Sequence, residues 1–340
     1  MQASSSQSDS SQPVVGRLAP SPTGALHLGN ARSFLLAWLS IRQQGGKLLL
    51  RIEDIDSPRV KPEAVGQTIE DLKWLGLDWD VSELDEELGK PLLQSSRIEQ
   101  YLEVLEQLQF DKRVFRCGCS RKDVAEAASA PHDTSMPALE GDIYPGTCRK
   151  RRWSADEAKG KHCWRWHFES NEIVRWKDQF QGLQEASPAL QLGDFVIAKF
   201  DGERIVPSYQ IAVVVDDHEQ QVTEVLRGED LIYSTYRQLA IMDHLGWQPP
   251  QYYHVPLILG EDGRRLAKRH GDTRLSFFRE SGIRAEAVVG YLAHSIGILD
   301  NCEPASAADL IGKLNWNNLR REPTVFSLPR EMAVLKRLSR

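Results

Sequence analysis

The stretch RLAPSPTGALHLGNAR, residues 17–32, decides the fold. We predict that it begins as a short strand, Val14 to Leu18, and that a helix follows its turn, with apolar residues every three to four positions from Ala31 onward. Gly45 and Gly46 end that helix, and a second strand follows over 47–52. Strand, loop, helix and strand within about 40 residues predict a βαβ unit, because parallel strands need such a crossover.

The loop of this unit lies at a helix N-terminus, where free N–H groups and the positive end of the helix dipole favour a phosphate. It carries His27 and Gly29 in place of the glycines of a dinucleotide fingerprint, and no GxxxxGK[ST] loop is present. A plain α/β crossover with a surface histidine is the alternative. Residues 27–30, HLGN, resemble the HIGH signature of class I aminoacyl-tRNA synthetases, and the longer run from Arg17 resembles their glutamyl branch.

Composition indicates a soluble globular chain of about two or three domains. The 340 residues are 41% hydrophobic and 26% charged, and no apolar run approaches the roughly 18 residues of a membrane span. Residues 1–13, rich in Ser and Gln, lack the basic start and apolar core of a signal peptide and predict a disordered tail. Five cysteines without a secretory signal indicate thiols or metal ligands in a reducing compartment.

The charge of the chain is uneven along its length. The net charge of −6 does not indicate a nucleic-acid partner, but a whole-chain sum hides local patches. Basic residues cluster at 149–152, at 264–274 and from residue 320 onward. Such runs are usually solvated faces, although basic clusters in an acidic protein leave room for a polyanion.

Carboxylates follow the second strand in the segment RIEDID, residues 51–56. They fall at the carboxyl end of a parallel strand, where ligands bind in open α/β sheets. A solvated acidic turn is the alternative. The segment resembles the RIEDTD element of glutamyl synthetases, in which the glutamate that matches Glu53 accepts hydrogen bonds from the amino-acid ammonium.

The second half of the chain predicts another βαβ unit. A helix or strand over 207–217 leads to the strand and turn VLRGEDL, 225–231, then to a helix over 234–245 and a strand over 253–259. VLRGEDL resembles the equivalent element of glutamyl synthetases.

That resemblance assigns the glutamate site to Arg17, Ser21, Glu53, Tyr209 and Arg227. In it the arginine pairs with the side-chain carboxylate. A bidentate arginine–carboxylate pair would select glutamate over glutamine. For Arg227 alone, an ordinary salt bridge at a strand end is the alternative.

A basic loop that contains a glycine, RRLAKRHGD, occupies residues 264–272. A mere surface loop is one interpretation. Its RLAKR core resembles the KMSKS loop of class I synthetases, and Lys268 matches the lysine that neutralises charge on the ATP phosphates. Ala267 and Arg269 replace serines of that motif, so we expect activity with altered loop closure.

The same resemblance assigns catalysis to His27 and Lys268, and ATP with Mg²⁺ to His27, Gly29, Asn30 and Lys268. The α-carboxylate of glutamate attacks the α-phosphorus of ATP. Because this nucleophile is already ionised, positioning and charge neutralisation must supply the catalysis.

The character of the chain changes at Val114. Cys117, Cys119 and the distant Cys148 form a partial zinc set, since structural zinc takes four ligands. Candidates for the fourth ligand are His132, His162 and Cys163. Three reduced thiols without a metal are the alternative. Short alternating segments between 163 and 200 predict a small antiparallel sheet whose core holds Trp164, Trp166 and Trp176.

The pattern CxC followed by YxxxC resembles the glutamyl-queuosine tRNA(Asp) synthetases, a family of short paralogues of glutamyl-tRNA synthetase. By that resemblance one structural Zn²⁺ is held by Cys117, Cys119, Tyr144 and Cys148. The loop between Cys119 and Tyr144 is long for the pattern.

We therefore predict an α/β fold: a Rossmann-type class I aminoacyl-tRNA synthetase catalytic domain with an inserted zinc-binding, antiparallel region and a short helical C-terminal part. The expected boundaries are 1–13 for the tail, 14–113 and 201–272 for the Rossmann halves, 114–200 for the insertion and 273–340 for the C-terminal region. In that last region we predict short helices over 285–299 and 305–314. The residues after Asp272 are too few for the helical anticodon-binding domain of a full glutamyl-tRNA synthetase.

The resemblance implies an ATP-dependent ligase that activates L-glutamate as glutamyl-AMP without tRNA and transfers it to the queuosine base of tRNA(Asp). The expected partners are L-glutamate, ATP and queuosine-bearing tRNA(Asp), for a cytoplasmic monomer without a membrane partner. A truncated glutamyl-tRNA synthetase that charges tRNA(Glu) and a non-catalytic tRNA-binding descendant are the alternatives. The non-catalytic alternative is disfavoured because the motif residues are all present: His27, Glu53, Arg227 and Lys268.

Overall fold

The structure, a computed structural model, describes residues 13–22, 25–55, 62–80, 92–128, 136–154, 156–266 and 270–340. Its helices are α1 (Leu28–Gln43), α2 (Pro62–Trp74), α3 (Ile98–Phe110), α4 (Arg121–Ala128), α5 (Pro188–Gln191), α6 (Tyr209–Glu219), α7 (Ile232–Leu245), α8 (Leu275–Glu280), α9 (Ala285–Ile296) and α10 (Leu328–Leu338). Its strands are β1 (Val15–Leu18), β2 (Lys47–Ile52), β3 (Leu92–Leu93), β4 (Val114–Cys117), β5 (His162–Trp166), β6 (Val174–Asp178), β7 (Gly182–Ala186), β8 (Val196–Phe200), β9 (Ile205–Pro207), β10 (Glu224–Gly228), β11 (Gln251–Val255), β12 (Ile258–Gly260) and β13 (Thr324–Phe326). Among these helices none is long and apolar enough to cross a membrane.

The first βαβ unit forms as predicted. Strands β1 and β2 pair in parallel, with Val15 opposite Lys47 and Leu18 opposite Leu50. Helix α1 crosses between them and buries an apolar face against the sheet. The chain turns after α1 at Gly45, whose φ of +65° lies in the left-handed region that glycine adopts at little cost.

The second half lies beside the first. Strand β10 runs next to β1, since the Thr223 N–H donates to the Val15 carbonyl over 2.9 Å, and β11 pairs with β10 in parallel in a second sheet. The segment for which helix and strand were both open is helix α6, buried along 211–217. The ends of β1 and β10 lie together, since Arg17 Nη1 donates to the Leu226 carbonyl over 3.3 Å, and predicted ligand residues lie in or after both strands.

The alternating segments after residue 163 do not share one sheet, contrary to the prediction. Strands β5 and β8 form an antiparallel sheet with β4 and β9. Trp164 and Trp166, which belong to β5, are buried in the core that this sheet shares. The β6–β7 hairpin instead extends the sheet of β10 and β11, through Tyr252 opposite Asp178. Asp178 holds it there because its buried carboxylate accepts the His254 N–H from β11.

The C-terminal region packs onto the first half. Side chains of α8, α9 and α10 share one core with α1. The prediction of a helix over 285–299 is close to α9, but that over 305–314 is wrong: only a 3₁₀ turn, Ala308–Leu310, forms there. Ser306 and Asp309 bond to each other and complete a single turn, and Gly312, at φ +83°, then redirects the chain.

Candidate active site

A cavity of about 790 Å³ opens where β1 and β10 end. Every residue predicted for glutamate or ATP that the structure describes lines it: Arg17, Ser21, His27, Gly29, Asn30, Glu53, Tyr209 and Arg227. Lys268, with Ala267 and Arg269, lies outside the described residues. The preceding Leu266 lines the same cavity. Two distant halves of the chain thus contribute to one site.

His27 is the N-cap of α1. Its Nδ1 accepts the Gly29 N–H over 3.1 Å, and its own N–H donates to Asn30 Oδ1 over 3.4 Å. Burial and the nearby Arg265 lower the pKa of His27 to about 4. The ring is therefore neutral at pH 7, and because Nδ1 accepts, the proton resides on Nε2. A side chain at position 29 would place its Cβ 3.0 Å from the imidazole, so the ring would have to shift by a few tenths of an ångström.

The HIGH-like segment, residues 27–30, is bonded to the chain that follows the KMSKS-like loop. The Leu28 N–H donates to the Thr273 carbonyl over 3.2 Å, and the Leu275 N–H donates to the Leu26 carbonyl over 2.8 Å. Near the start of that loop, Arg265 pairs over 2.5 Å with Asp230 of the VLRGEDL segment. Three sequence motifs that lie far apart along the chain therefore border one another around the cavity.

Glu53 provides a buried carboxylate at the end of β2. Its N–H donates to the Pro20 carbonyl over 3.0 Å, Ser21 Oγ donates to its Oε2 over 3.4 Å, and Arg51 lies 3.4 Å from its Oε1. Burial raises the pKa of Glu53, and the charges of Arg51 and Arg17 oppose that rise. An ammonium beside this carboxylate would stabilise its charged form.

Arg17 is fixed by groups from the second half. Its Nη1 donates to the Leu226 carbonyl over 3.3 Å, and its Nε lies 3.6 Å from Asp217 Oδ1. Asp217 also accepts from Arg51 over 2.7 Å. Neither aspartate of the 207–217 segment was selected from the sequence. The available signal was two adjacent acids, Asp216 and Asp217, at the end of an apolar helical run, where burial demands cationic partners.

Arg227 is a buried cation at the end of β10. Its Nη1 donates to the Tyr209 hydroxyl over 3.2 Å, its Nη2 to Thr235 Oγ1 over 2.7 Å and to Gln238 Oε1 over 3.0 Å. Its Nε donates to Nε2 of His254 over 2.9 Å. No carboxylate of the described residues forms a salt bridge with it, so the strand-end salt bridge considered from the sequence is not formed there. This arrangement suits a carboxylate supplied by a ligand.

The cysteines of the predicted zinc set converge. The sulfurs of Cys117, Cys119 and Cys148 lie within 4.8 Å of one another, and those of Cys119 and Cys148 are 3.6 Å apart. Tetrahedral zinc with Zn–S bonds of about 2.3 Å would place its sulfurs about 3.8 Å apart. The Tyr144 oxygen lies 3.4 Å from the Cys117 sulfur and accepts the Cys148 N–H over 2.7 Å. The donor set therefore fits one Zn²⁺.

The other candidates for a fourth ligand lie outside the three-sulfur group or outside the described residues. The Cys163 sulfur lies 3.5 Å from the Cys117 carbonyl and is not a member of the three-sulfur group. His162 Nδ1 lies 2.8 Å from the Gly160 carbonyl, and its ring packs against Trp164. His132 lies outside the described residues. Position therefore favours Tyr144.

Comparison with known proteins agrees with this geometry. The family described as "tRNA synthetases class I (E and Q), catalytic domain" matches residues 13–327. A relative from Rhodopirellula baltica, named glutamyl-Q tRNA(Asp) synthetase, is 45% identical over 92% of this chain and 96% of its own length. Glutamate–tRNA ligase 2 of Syntrophus aciditrophicus is 38% identical over 94% of this chain and 64% of its own length.

A solved structure gives the same assignment. The glutamate tRNA ligase of Elizabethkingia meningosepticum, in complex with its amino acid, superposes with a TM-score of 0.76 at 26% identity, over 95% of this chain and 69% of that one. The predicted class I catalytic fold is confirmed. The chain belongs to the family of class I glutamyl- and glutaminyl-tRNA synthetases.

Proposed function

We propose that this chain activates L-glutamate with ATP and transfers it to the queuosine base at the anticodon wobble position of tRNA(Asp). The observation that carries the activation step is one cavity with a buried cation, Arg227, and a carboxylate, Glu53, whose side chain is only 8% exposed. The two match the side-chain carboxylate and the ammonium of one acidic amino acid. The tRNA acceptor is inferred from the Rhodopirellula baltica relative named glutamyl-Q tRNA(Asp) synthetase. That relative is more similar to the chain than the glutamate–tRNA ligases compared above.

The glutamate is held between the two halves. Glu53 faces the ammonium, and Arg227 with Tyr209 binds the side-chain carboxylate. Arg17 and Ser21 orient the α-carboxylate toward the nucleotide. Each charged group of the amino acid then meets a buried partner of opposite charge, which is how a low-dielectric site gains both affinity and orientation.

The ATP lies over the N-terminus of α1. The neutral ring of His27 donates its Nε2–H to the phosphates, while the Gly29 N–H holds the ring through Nδ1 and Asn30 binds the His27 backbone N–H. Lys268, by its place in the KMSKS-like motif, adds a positive charge, and Mg²⁺ neutralises further phosphate charge when bound. The α-carboxylate attacks the α-phosphorus and pyrophosphate leaves. A hydroxyl of the modified base then attacks the activated carbonyl, and AMP leaves.

The test of this function is glutamylation of purified tRNA(Asp) and tRNA(Glu), each with and without queuosine, with labelled glutamate and ATP. We expect label only on queuosine-bearing tRNA(Asp), and we expect it to survive removal of the 3′-terminal adenosine. Label on the 3′ end of tRNA(Glu) would identify a glutamyl-tRNA synthetase instead. A monomeric state and a cytoplasmic location stay predictions from the sequence.

We also propose that Cys117, Cys119, Tyr144 and Cys148 hold one structural Zn²⁺. Elemental analysis is expected to find about one zinc per chain. Tyr144→Phe should lower zinc affinity at least about tenfold, because it removes an oxygen ligand but keeps the buried ring. Competition with a chromophoric chelator measures this.

Cys163→Ser is the matched control for that change, since it alters a neighbouring thiol outside the cluster. It should leave zinc affinity close to that of the unaltered protein. If Cys163→Ser weakens binding and Tyr144→Phe does not, Cys163 is the fourth ligand. If the protein contained no zinc after mild purification, the cysteines would have no metal role.

A further inference from the structure

A chain of buried groups runs from the cavity into the protein through Arg227. His254 lies opposite Arg227 in the parallel pair β10–β11. Its Nε2 accepts the Arg227 Nε–H over 2.9 Å, and its Nδ1 lies 2.6 Å from Asp178 Oδ2. The side chains of His254 and Asp178 are both 0% exposed. No sequence motif contains either residue.

The partners of His254 fix where its proton resides. A guanidinium can only donate hydrogen bonds, so Nε2 must be the acceptor and Nδ1 must carry the proton that Asp178 accepts. Burial lowers the pKa of His254 to about 4, so the ring stays neutral at pH 7. A proton on Nε2 would instead bring two donors face to face.

The remaining bonds of Arg227 determine which edge of it meets a ligand. Nε is held by His254, and both Nη2 hydrogens have protein acceptors in Thr235 and Gln238. Nη1 has two hydrogens, and the Tyr209 oxygen takes one of them. Within the described ranges no other group accepts the second Nη1–H or the hydroxyl proton of Tyr209, so both can donate to a ligand. A bidentate pair through two guanidinium nitrogens would require breaking one of the protein bonds.

We propose that His254, oriented by Asp178, is a positioning residue for glutamate recognition: it holds the Nε edge of Arg227 so that Nη1, together with the Tyr209 hydroxyl, receives the side-chain carboxylate. The inference rests on the proposed binding of glutamate by Arg227. It adds the hydrogen bonds that orient the arginine. In place of the bidentate pairing expected from the sequence, Nη1 and the Tyr209 hydroxyl bind the carboxylate.

Two substitutions at position 254 separate positioning from packing. His254→Gln keeps an acceptor oxygen near the place of Nε2, whereas His254→Asn keeps only a group near the place of Nδ1 that can bond Asp178. Both remove the same buried ring. A merely structural role would affect both alike, and thermal unfolding of each variant shows how much stability is lost.

In glutamate-dependent pyrophosphate exchange, His254→Asn should raise the KM for glutamate about 10- to 100-fold, with the KM for ATP changed less than about threefold. His254→Gln should restore most of the glutamate KM. Asp178→Asn should act like His254→Asn, since its amide would donate to Nδ1 and shift the ring proton to Nε2. Its oxygen still accepts the turn N–H groups of Phe180 and Gln181, and the His254 backbone N–H keeps only its 3.3 Å bond to that oxygen.

Nitrogen-15 NMR of the wild-type protein gives a readout independent of activity. The His254 ring should show a protonated Nδ1 and an unprotonated Nε2 at about pH 7. A protonated Nε2, equal glutamate KM values for the Asn and Gln variants, or an unchanged KM in His254→Asn would overturn the inference and leave the proposed function standing. Absence of glutamate-dependent exchange in the wild-type protein would overturn the proposed function and this inference with it.

Discussion

Replacing His27 with asparagine is expected to lower pyrophosphate exchange about 10²- to 10³-fold, the usual loss when one preorganised donor to a developing charge is removed. Asparagine is among the best N-cap residues, and its Oδ1 can accept the Gly29 N–H that Nδ1 of His27 accepts now. The substitution therefore keeps the cap of α1 and removes only the Nε2–H. Steady-state exchange at saturating ATP and glutamate measures the effect on the chemical step.

His27→Ala is the control that removes cap and donor together. It should lose a similar amount of exchange and also about 1 kcal/mol of stability, which the asparagine variant should retain. Unchanged exchange in His27→Asn would exclude a catalytic role for this ring. If only the alanine variant lost activity, the histidine would act as a cap and nothing more.

The pKa of His27 adds a dependence on pH to this comparison. The pKa is about 4 in the folded state against 6.5 for an unperturbed histidine, so between these values the unfolded chain binds a proton that the folded chain does not. Wild-type stability should therefore fall as the pH drops through this window. His27→Asn, which has no titrating ring, should lose less over the same range, as measured by denaturant unfolding.

The part of the fold near the HIGH-like segment could be predicted because its signals are local. Apolar spacing along α1, the glycines after it and the run of β2 all indicate the same βαβ unit. The candidate site residues that line the cavity could also be predicted, since they lie in or directly after predicted strands or at the start of predicted helices. Motif resemblance then determined which of the polar residues at those positions to select.

What could not be predicted depends on contacts far apart in sequence. The alternation of apolar and polar residues in β6 would be the same whether the β6–β7 hairpin paired with β5 or with β11. The pairing with β11 depends on the buried carboxylate of Asp178, which binds His254. Asp217 likewise has no local pattern that indicates Arg17 and Arg51 as its partners. Such residues gain their role only once the sheet has brought the strands together, so spacing along the chain carries no trace of it.

Replacing Arg227 with alanine is expected to raise the KM for glutamate about 10²- to 10³-fold, since it removes the buried cation opposite the side-chain carboxylate. The KM for ATP should change less than about threefold, because the proposed nucleotide position, at the N-terminus of α1, does not involve Arg227. Stability should also fall by about 1–3 kcal/mol, because Gln238, Thr235 and His254 lose their donor. Exchange kinetics with each substrate varied in turn, on protein shown to be folded, measures the split.

Arg227→Lys is the matched control for the charge. It keeps a cation, but a compact ammonium cannot satisfy His254, Thr235 and the ligand at once, so the glutamate KM should fall between those of wild type and Arg227→Ala. Arg227→Gln, uncharged and of similar length, should narrow the preference for glutamate over glutamine, since in our proposal the positive charge of Arg227 sets that preference. If Arg227→Ala raised both KM values equally, Arg227 would lie outside the side-chain pocket. A lysine variant as impaired as the alanine variant would show that the held guanidinium plane, and not charge alone, selects the substrate.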